Sequence, residues 1–141
     1  MYIPSLEEIS RIVNITQSYP HFRQWYLNKV IPGIQTGERK ILTEFKHNQL
    51  AGFAIIKNDG DEKKLCTLAV GTQFTHHGLG VKLFKRGMDE LQTERPLLSV
   101  SDGKIDLFLP IFKYFGYEFS NSYSNLYLPS TVEYSYNGEL K

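Results

Sequence analysis

The stretch that most constrains this chain runs from Leu65 to Leu91. It begins as a β run, Leu65-Cys66-Thr67-Leu68-Ala69-Val70, crosses a short polar loop and enters a helical pattern through Gly78-Leu79-Gly80. A strand that feeds a helix through Gly-x-Gly aims several backbone N–H groups at one place. The positive end of the helix dipole adds to them, so the junction can hold an anion without a charged side chain. Two familiar phosphate loops do not fit. A Walker A loop needs Gly-Lys-Ser/Thr at its end, and here Gly80 is followed by Val81 and Lys82. The dinucleotide fingerprint wants a third glycine where Leu83 stands and a strand that opens a parallel sheet, whereas two strand-like runs in hairpin spacing come first here. Along the helix, Gly80, Phe84, Gly87 and Leu91 fall at i, i+4, i+7 and i+11, with Val81 and Met88 beside them. That makes one apolar, partly glycine face. Glycine inside a helix costs about 1 kcal/mol against alanine, so two on one face point to close approach of a sheet or a ligand.

The rest of the chain frames this junction. Ser5 and Glu8 have capping-box spacing, and Leu6, Ile9, Ile12 and Val13 form an apolar stripe that ends before Tyr19-Pro20. A second helix is expected from His21 to about Ile31, with Phe22, Trp25, Tyr26 and Lys29 or Val30 on one face and Pro32-Gly33 as its stop. Gly37 opens a turn into a strand over Arg39 to Phe45; His47-Asn48 is a hairpin turn into Leu50 to Ile56. Asn58-Asp59-Gly60-Asp61 then leads into Lys64 to Val70, completing an antiparallel meander. After the glycine-rich helix, Arg95-Pro96 breaks the chain and Leu97 to Ser101 is a short buried strand. A strand, a helical crossover and a strand most simply give a parallel pair. Asp102 can cap a further helix with Ile105, Phe108, Leu109 and Phe112 on one face, kinked at Pro110 or delayed to it. Gly116 ends that helix, and Tyr117 to Phe119, Tyr123 to Leu128 and Val132 to Tyr136 read as closing β segments with Pro129 between the last two.

With 141 residues, 41% hydrophobic and 22% charged, the chain can form one domain over 1–141 with a proper core. A net charge of +1 exerts no bulk pull toward nucleic acid, so such a partner is not expected. The one cysteine, Cys66, excludes an intrachain disulfide and suits a reducing compartment, the cytoplasm. No run approaches the ~20 apolar residues of a membrane span, and no signal-peptide pattern opens the chain, so a membrane partner is not expected.

Thr75 to Gly80, after the Leu68-Ala69-Val70 triplet, resembles the acetyl-CoA loop of the Gcn5-related N-acetyltransferases (GNAT), Arg/Gln-x-x-Gly-x-Gly/Ala. Both glycines match, and Thr75 stands where the family has Arg or Gln. Phe112-Lys113-Tyr114-Phe115-Gly116-Tyr117 is similar in spacing to the family's Tyr-x-x-x-Gly-Phe, and the order of elements resembles the family's over nearly the whole chain. Met1 to Ile3 is barely long enough to supply the family's first strand. The resemblance implies an α/β (α+β) fold: a mixed, mostly antiparallel sheet with a splayed parallel pair and about four flanking helices. It implies acetyl-CoA as cosubstrate and no metal. Leu68, Ala69 and Val70 would bond the pantetheine arm through their backbone, and Thr75, His76, His77, Gly78, Leu79, Gly80 and Val81 would surround the pyrophosphate.

The activity implied is transfer of an acetyl or acyl group from acetyl-CoA to a primary amine on a small molecule, peptide or protein. The family's thiolate-side tyrosine falls on Phe112, which has no acid. Tyr114 is the nearby substitute, although two residues along a helix place it ~200° away. For the base, the family's position at the head of the splayed strand falls on Lys64, and Glu62 is the nearest acid. Ser99 and Ser101, on the second splayed strand, could bond substrate or cofactor or point to a polar edge. Two other functions keep the same fold. Phe112 and Thr75 fit a non-catalytic acyl-CoA-binding regulatory or partner domain. A toxin-type transferase acetylating aminoacyl-tRNA would want a basic surface, for which Arg39, Lys40, Lys82, Lys85 and Arg86 could cluster. The sequence leaves a homodimer open.

Overall fold

The computed structural model describes residues 2–13, 21–75 and 78–140. Ser5 opens α1 (Leu6–Ser10) with the full reciprocal capping box: its hydroxyl accepts from the Glu8 N–H, and Glu8 accepts from the Ser5 N–H. The stripe ends at Val13 as far as it can be followed, since Asn14 to Pro20 lie outside the described residues. The second helical body is longer than its sequence suggests. It runs as α2 (Phe22–Trp25), a π-helical turn (Tyr26–Val30) and α3 (Ile31–Thr36), and ends at Gly37 with φ +87°. Pro32-Gly33 does not stop it. The π turn carries the Ile31 N–H back to the Tyr26 carbonyl, so Pro32 falls at the start of a new α segment, where no helical N–H is needed.

The meander forms as expected: β1 (Arg39–Lys46), β2 (Gln49–Asn58) and β3 (Lys63–Val70) pair antiparallel in that order. His47 and Asn48 both adopt left-handed φ, +52° and +63°, the backbone a two-residue hairpin turn needs. A second three-stranded sheet contains β4 (Leu98–Ser101), β5 (Phe119–Ser124) and β6 (Val132–Tyr136), with β6 between the other two and every pairing antiparallel. The closing segments are thus rearranged. Instead of short strands over 117–119 and 123–128 there is one, β5, and residues 125–131 form a loop. Asn125 and Ser130 in positive φ, and the Asn125 side chain accepting from the Ser130 N–H, build that loop. No strand precedes β1 among the described residues.

Between β3 and β4 lies α4 (Leu79–Leu91), and after β4 comes α5 (Ile105–Phe115). Asp102 does not cap α5; its N–H goes to the Val132 carbonyl, and Lys104 holds the cap position. The helix starts at Ile105 rather than at Pro110. Pro110 is exposed, so the Asp106 carbonyl it leaves without a helical donor can be served by water. At its other end Gly116 takes φ +72°, with Tyr117 N–H bonding Phe112 O and Gly116 N–H bonding Lys113 O, a Schellman arrangement.

Strand alternation sorts the core into two sides. Leu42, Ala54, Ile56 and Leu65 face α4 and α5, joined by Leu98, Val100 and Tyr136 from the second sheet. Ile41, Phe53, Ile55 and Cys66 face α1 to α3. Gly87 marks a close helix–sheet approach, since a Cβ there would lie 3.3 Å from Leu65 Cδ1.

Candidate functional site

Among the described residues the backbones of the two sheets pair at one place. Lys64 and Leu97 form a parallel bridge, with the Leu65 N–H bonding the Leu97 carbonyl and the Leu97 N–H bonding the Lys63 carbonyl. Beyond it β3 and β4 stop pairing. The pairing of β2 with β3 slips there too: Ile56 faces Leu65 but Ile55 faces Thr67, leaving Cys66 as an extra, bulged residue. A bulge bends its strand and sharpens its twist, which accounts for β3 turning away from β4 at this point. From Cys66 to Val70 one edge of β3 has β2, and among the described residues no strand pairs with the other. Leu68, Ala69 and Val70 are all only partly buried. The result is a wedge, closed at Leu65–Leu97 and open toward the loop after Val70.

That loop and the start of α4 stand at the open end. Gly71 N–H bonds Ala51 O, and a 3-10 turn (Thr72–Phe74) buries Phe74 with Leu79 and Ala51 against β2. Gly78 then takes φ +77°, a conformation that favours glycine. No side chain caps the helix, and the Lys82 N–H bonds Gly78 O, leaving Leu79, Gly80 and Val81 to present the uncapped N–H groups of the first turn. A Cβ on Gly80 would meet only Ile111 Cδ1, at 3.8 Å. The two helical glycines therefore differ: Gly87 is needed by the sheet, whereas Gly80 faces room. Thr75 is exposed, and its hydroxyl donates to Thr72 O. His76 and His77 lie outside the described residues. The helix is anchored from its flank by Glu44 on β1, which takes Lys82 at 3.0 Å and Arg86 at 2.5 Å. Burial alone would raise that carboxyl, but the two cations more than offset it and hold it below its ordinary value.

The other sequence candidates scatter. Glu62 sits on the closed side of the bridge, 3.4 Å from Lys57 Nζ, with its own N–H on Asp59. Tyr114 projects from α5 into solvent, 69% exposed, with Lys85 Nζ 5.9 Å from its ring centroid. Phe112 is buried in an aromatic cluster, its ring 4.6 Å from Tyr136 and 5.7 Å from Tyr117. Tyr117 carries the phenol missing at 112, but its hydroxyl is buried without a hydrogen-bond partner among the described residues, and burial alone raises its pKa. The Cys66 thiol is raised by burial and accepts from Arg39 at 3.5 Å. Several of the basic residues are paired: Lys40 with Glu90, and Lys82 and Arg86 both with Glu44, while Arg39 lies over Trp25. Among the described residues, no three His, Cys, Asp or Glu are grouped to hold a metal, and no helix is long and apolar enough to cross a membrane.

One group was missed. Ser99 donates to Glu133 at 3.0 Å, and Tyr127 reaches the same serine. The signal was present in Val132-Glu133-Tyr134-Ser135-Tyr136: period-two alternation sets Glu133 and Ser135 on one polar face of an aromatic strand.

A splayed strand pair joined by a helix whose uncapped N-terminus faces the opening defines the fold of the Gcn5-related N-acetyltransferases, and this chain has that fold. Solved structures agree. The ribosomal-protein-S18-alanine N-acetyltransferase of Escherichia coli superposes with TM-score 0.70 at 17% identity, over 96% of this chain and 89% of that one. A GNAT-family acetyltransferase from Desulfovibrio desulfuricans gives 0.66 at 13%, over 93% and 85%. A Bacillus subtilis acetyltransferase solved with CoA gives 0.68 at 11%, over 99% and 96%. No protein-family model matches the sequence, and no curated protein matches it significantly.

Proposed function

We propose that this protein is a cytoplasmic N-acetyltransferase that moves an acetyl group from acetyl-CoA to a primary amine. The observation that carries the reading is the wedge itself, an unpaired strand edge leading to an uncapped helix N-terminus. The two ends of the wedge suit the two ends of the cosubstrate. Leu79, Gly80 and Val81 would hold the pyrophosphate through N–H groups, with Gly78 setting the turn and Thr75, His76 and His77 beside it. The open edge of β3 at Leu68, Ala69 and Val70 would pair with the amides of the pantetheine arm as a neighbouring strand would. That arm has the bond count of about four residues, roughly 14 Å extended. Cys66 to Val70 spans about the same length at ~3.3 Å per residue, so the thioester would come to rest near Cys66, where the strands part.

The bonds offered by β3 and α4 are from the backbone, so Thr75 in place of Arg or Gln is compatible with binding. Phe112, buried and without a proton to give, favours the second reading of a non-catalytic acyl-CoA-binding domain. Transfer still has most of its advantage available, because positioning alone can supply ~7–11 kcal/mol of a barrier, whereas one missing acid costs about 10²–10⁴ in rate.

Gly80→Glu tests the site. Glutamate there would put a side chain and a negative charge where backbone must approach phosphate, and should weaken acetyl-CoA binding roughly tenfold or more. Calorimetry showing undiminished affinity in a folded variant would remove the pyrophosphate from this helix end. A thiol-release assay then separates the two readings, because a sensor binds acetyl-CoA but transfers nothing.

A further inference from the structure

The second sheet has a polar face that the cosubstrate does not use. Ser101 lies opposite Glu133, and Ser99 opposite Ser135, so these four share one face, while Leu98, Val100, Tyr134 and Tyr136 turn to the other. Ser99 Oγ donates to Glu133 Oε1 at 3.0 Å. Among the described residues that is the one side-chain hydrogen bond of Glu133. A half-buried carboxylate held by a single neutral donor is a costly arrangement for a fold to keep.

The charges of Lys64 on β3 and of Asp102 and Lys104 in the turn after β4 act on Glu133, and the charge of Glu133 acts on Tyr127 in the β5–β6 loop. The parallel bridge of Lys64 with Leu97 sets Ser99, two residues further along β4, level with Cys66, the bulge where β3 leaves β4. This is the head of the wedge, at the point reached by the thioester in the reading above.

Resting on that reading, we infer that Glu133, held by Ser99, is the carboxylate that meets the acceptor's ammonium group and takes its proton. The ammonium gives one proton to Glu133 and becomes a neutral amine. Its lone pair forms the C–N bond at the thioester carbon, the C–S bond breaks, and the thiolate leaves with that electron pair. The second nitrogen proton goes to the thiolate, directly or through water, and Glu133 returns its own proton to solvent. The surroundings suit this role. Burial pushes the Glu133 carboxyl up; the Ser99 hydrogen bond and Lys64 and Lys104 pull it back, while Asp102 pushes it further up. The net rise makes it a stronger base than an exposed glutamate. Tyr127 is raised as well, first by burial and then by the charge of Glu133, so it keeps its proton and remains a donor.

The test compares wild type with Glu133→Gln in two measurements: calorimetric binding of acetyl-CoA, and CoA release from pH 5 to 9. The acceptor is whichever of spermidine, lysine, an alanyl peptide or an aminoacyl-tRNA wild type uses fastest. Glutamine can still accept from Ser99, so acetyl-CoA affinity should stay within about twofold while kcat falls roughly 10²–10⁴-fold. The acidic limb of the wild-type kcat profile should vanish. Equal rates, or a lower rate with that limb unchanged, would overturn the inference and leave the transferase reading standing. Wild type that binds acetyl-CoA yet releases none with any acceptor would overturn both.

Discussion

The two faces of the second sheet are built by the same three strands and have opposite chemistry. Toward α4 and α5, Leu98, Val100, Tyr134 and Tyr136 meet Phe84, Phe108, Phe112, Phe115 and Tyr117 in rings packed at centroid distances of 4.6–6.2 Å. On the reverse, Ser99 and Ser135 stand opposite each other, as do Ser101 and Glu133, and Tyr127 bonds Ser99. The aromatic face has the position where the family carries its acid, yet here it holds no accessible proton: residue 112 is phenylalanine, and the displaced phenol at 117 is sealed inside. The polar face has the ionisable groups, with Ser135 fully buried beside them. Stability is concentrated on one side of the strands and chemistry on the other, and a substitution should report which side it belongs to.

The largest effect should come from the packed side. Phe112→Ala removes a ring that is 2% exposed and touches four other aromatic rings. It should cost about 3–5 kcal/mol in denaturant unfolding; a loss under 1 kcal/mol would mean that this face is not the core it looks like. Tyr117→Phe should go the other way. Deleting a buried hydroxyl that has no partner among the described residues should stabilise the protein by about 1 kcal/mol. If it destabilises instead, the hydroxyl has a partner after all and the aromatic side is less dry than described.

The smallest effect belongs to the polar side. The folded state raises the Glu133 carboxyl. A raised carboxyl favours the fold while protonated, below its unfolded value, and loses that contribution as pH rises through its folded value. Glu133→Gln should therefore match wild type in stability near pH 4 and exceed it at pH 7. A variant less stable at pH 7 than at pH 4, relative to wild type, would assign Glu133 to structure and erase the contrast between the faces.

The parts of the fold that rest on neighbours in the chain were legible before any coordinates. The Ser5–Glu8 capping box, the His47-Asn48 turn and the glycine end of α5 at Gly116 each involve a few consecutive residues whose own conformational preferences decide the outcome. The glycine-flanked entry into α4 was readable for the same reason, since it is a property of one turn of backbone. Where a local rule competed with packing, it failed. Pro32 read as a stop, yet the π turn before it lets the helix continue, and of the two outcomes open at Pro110 the delayed start is excluded, since α5 begins at Ile105.

What only the tertiary structure decided is which distant strands lie side by side. Placing β6 between β4 and β5 brings Glu133 to Ser99 across 34 positions of sequence, and the single Lys64–Leu97 bridge, with the bulge at Cys66, decides where the wedge begins. Such pairings are chosen by burial of whole sheet faces against one another. No short run of residues contains that choice, which is why Glu62 and Tyr114 stood out in the sequence and Glu133 stood out only in the fold.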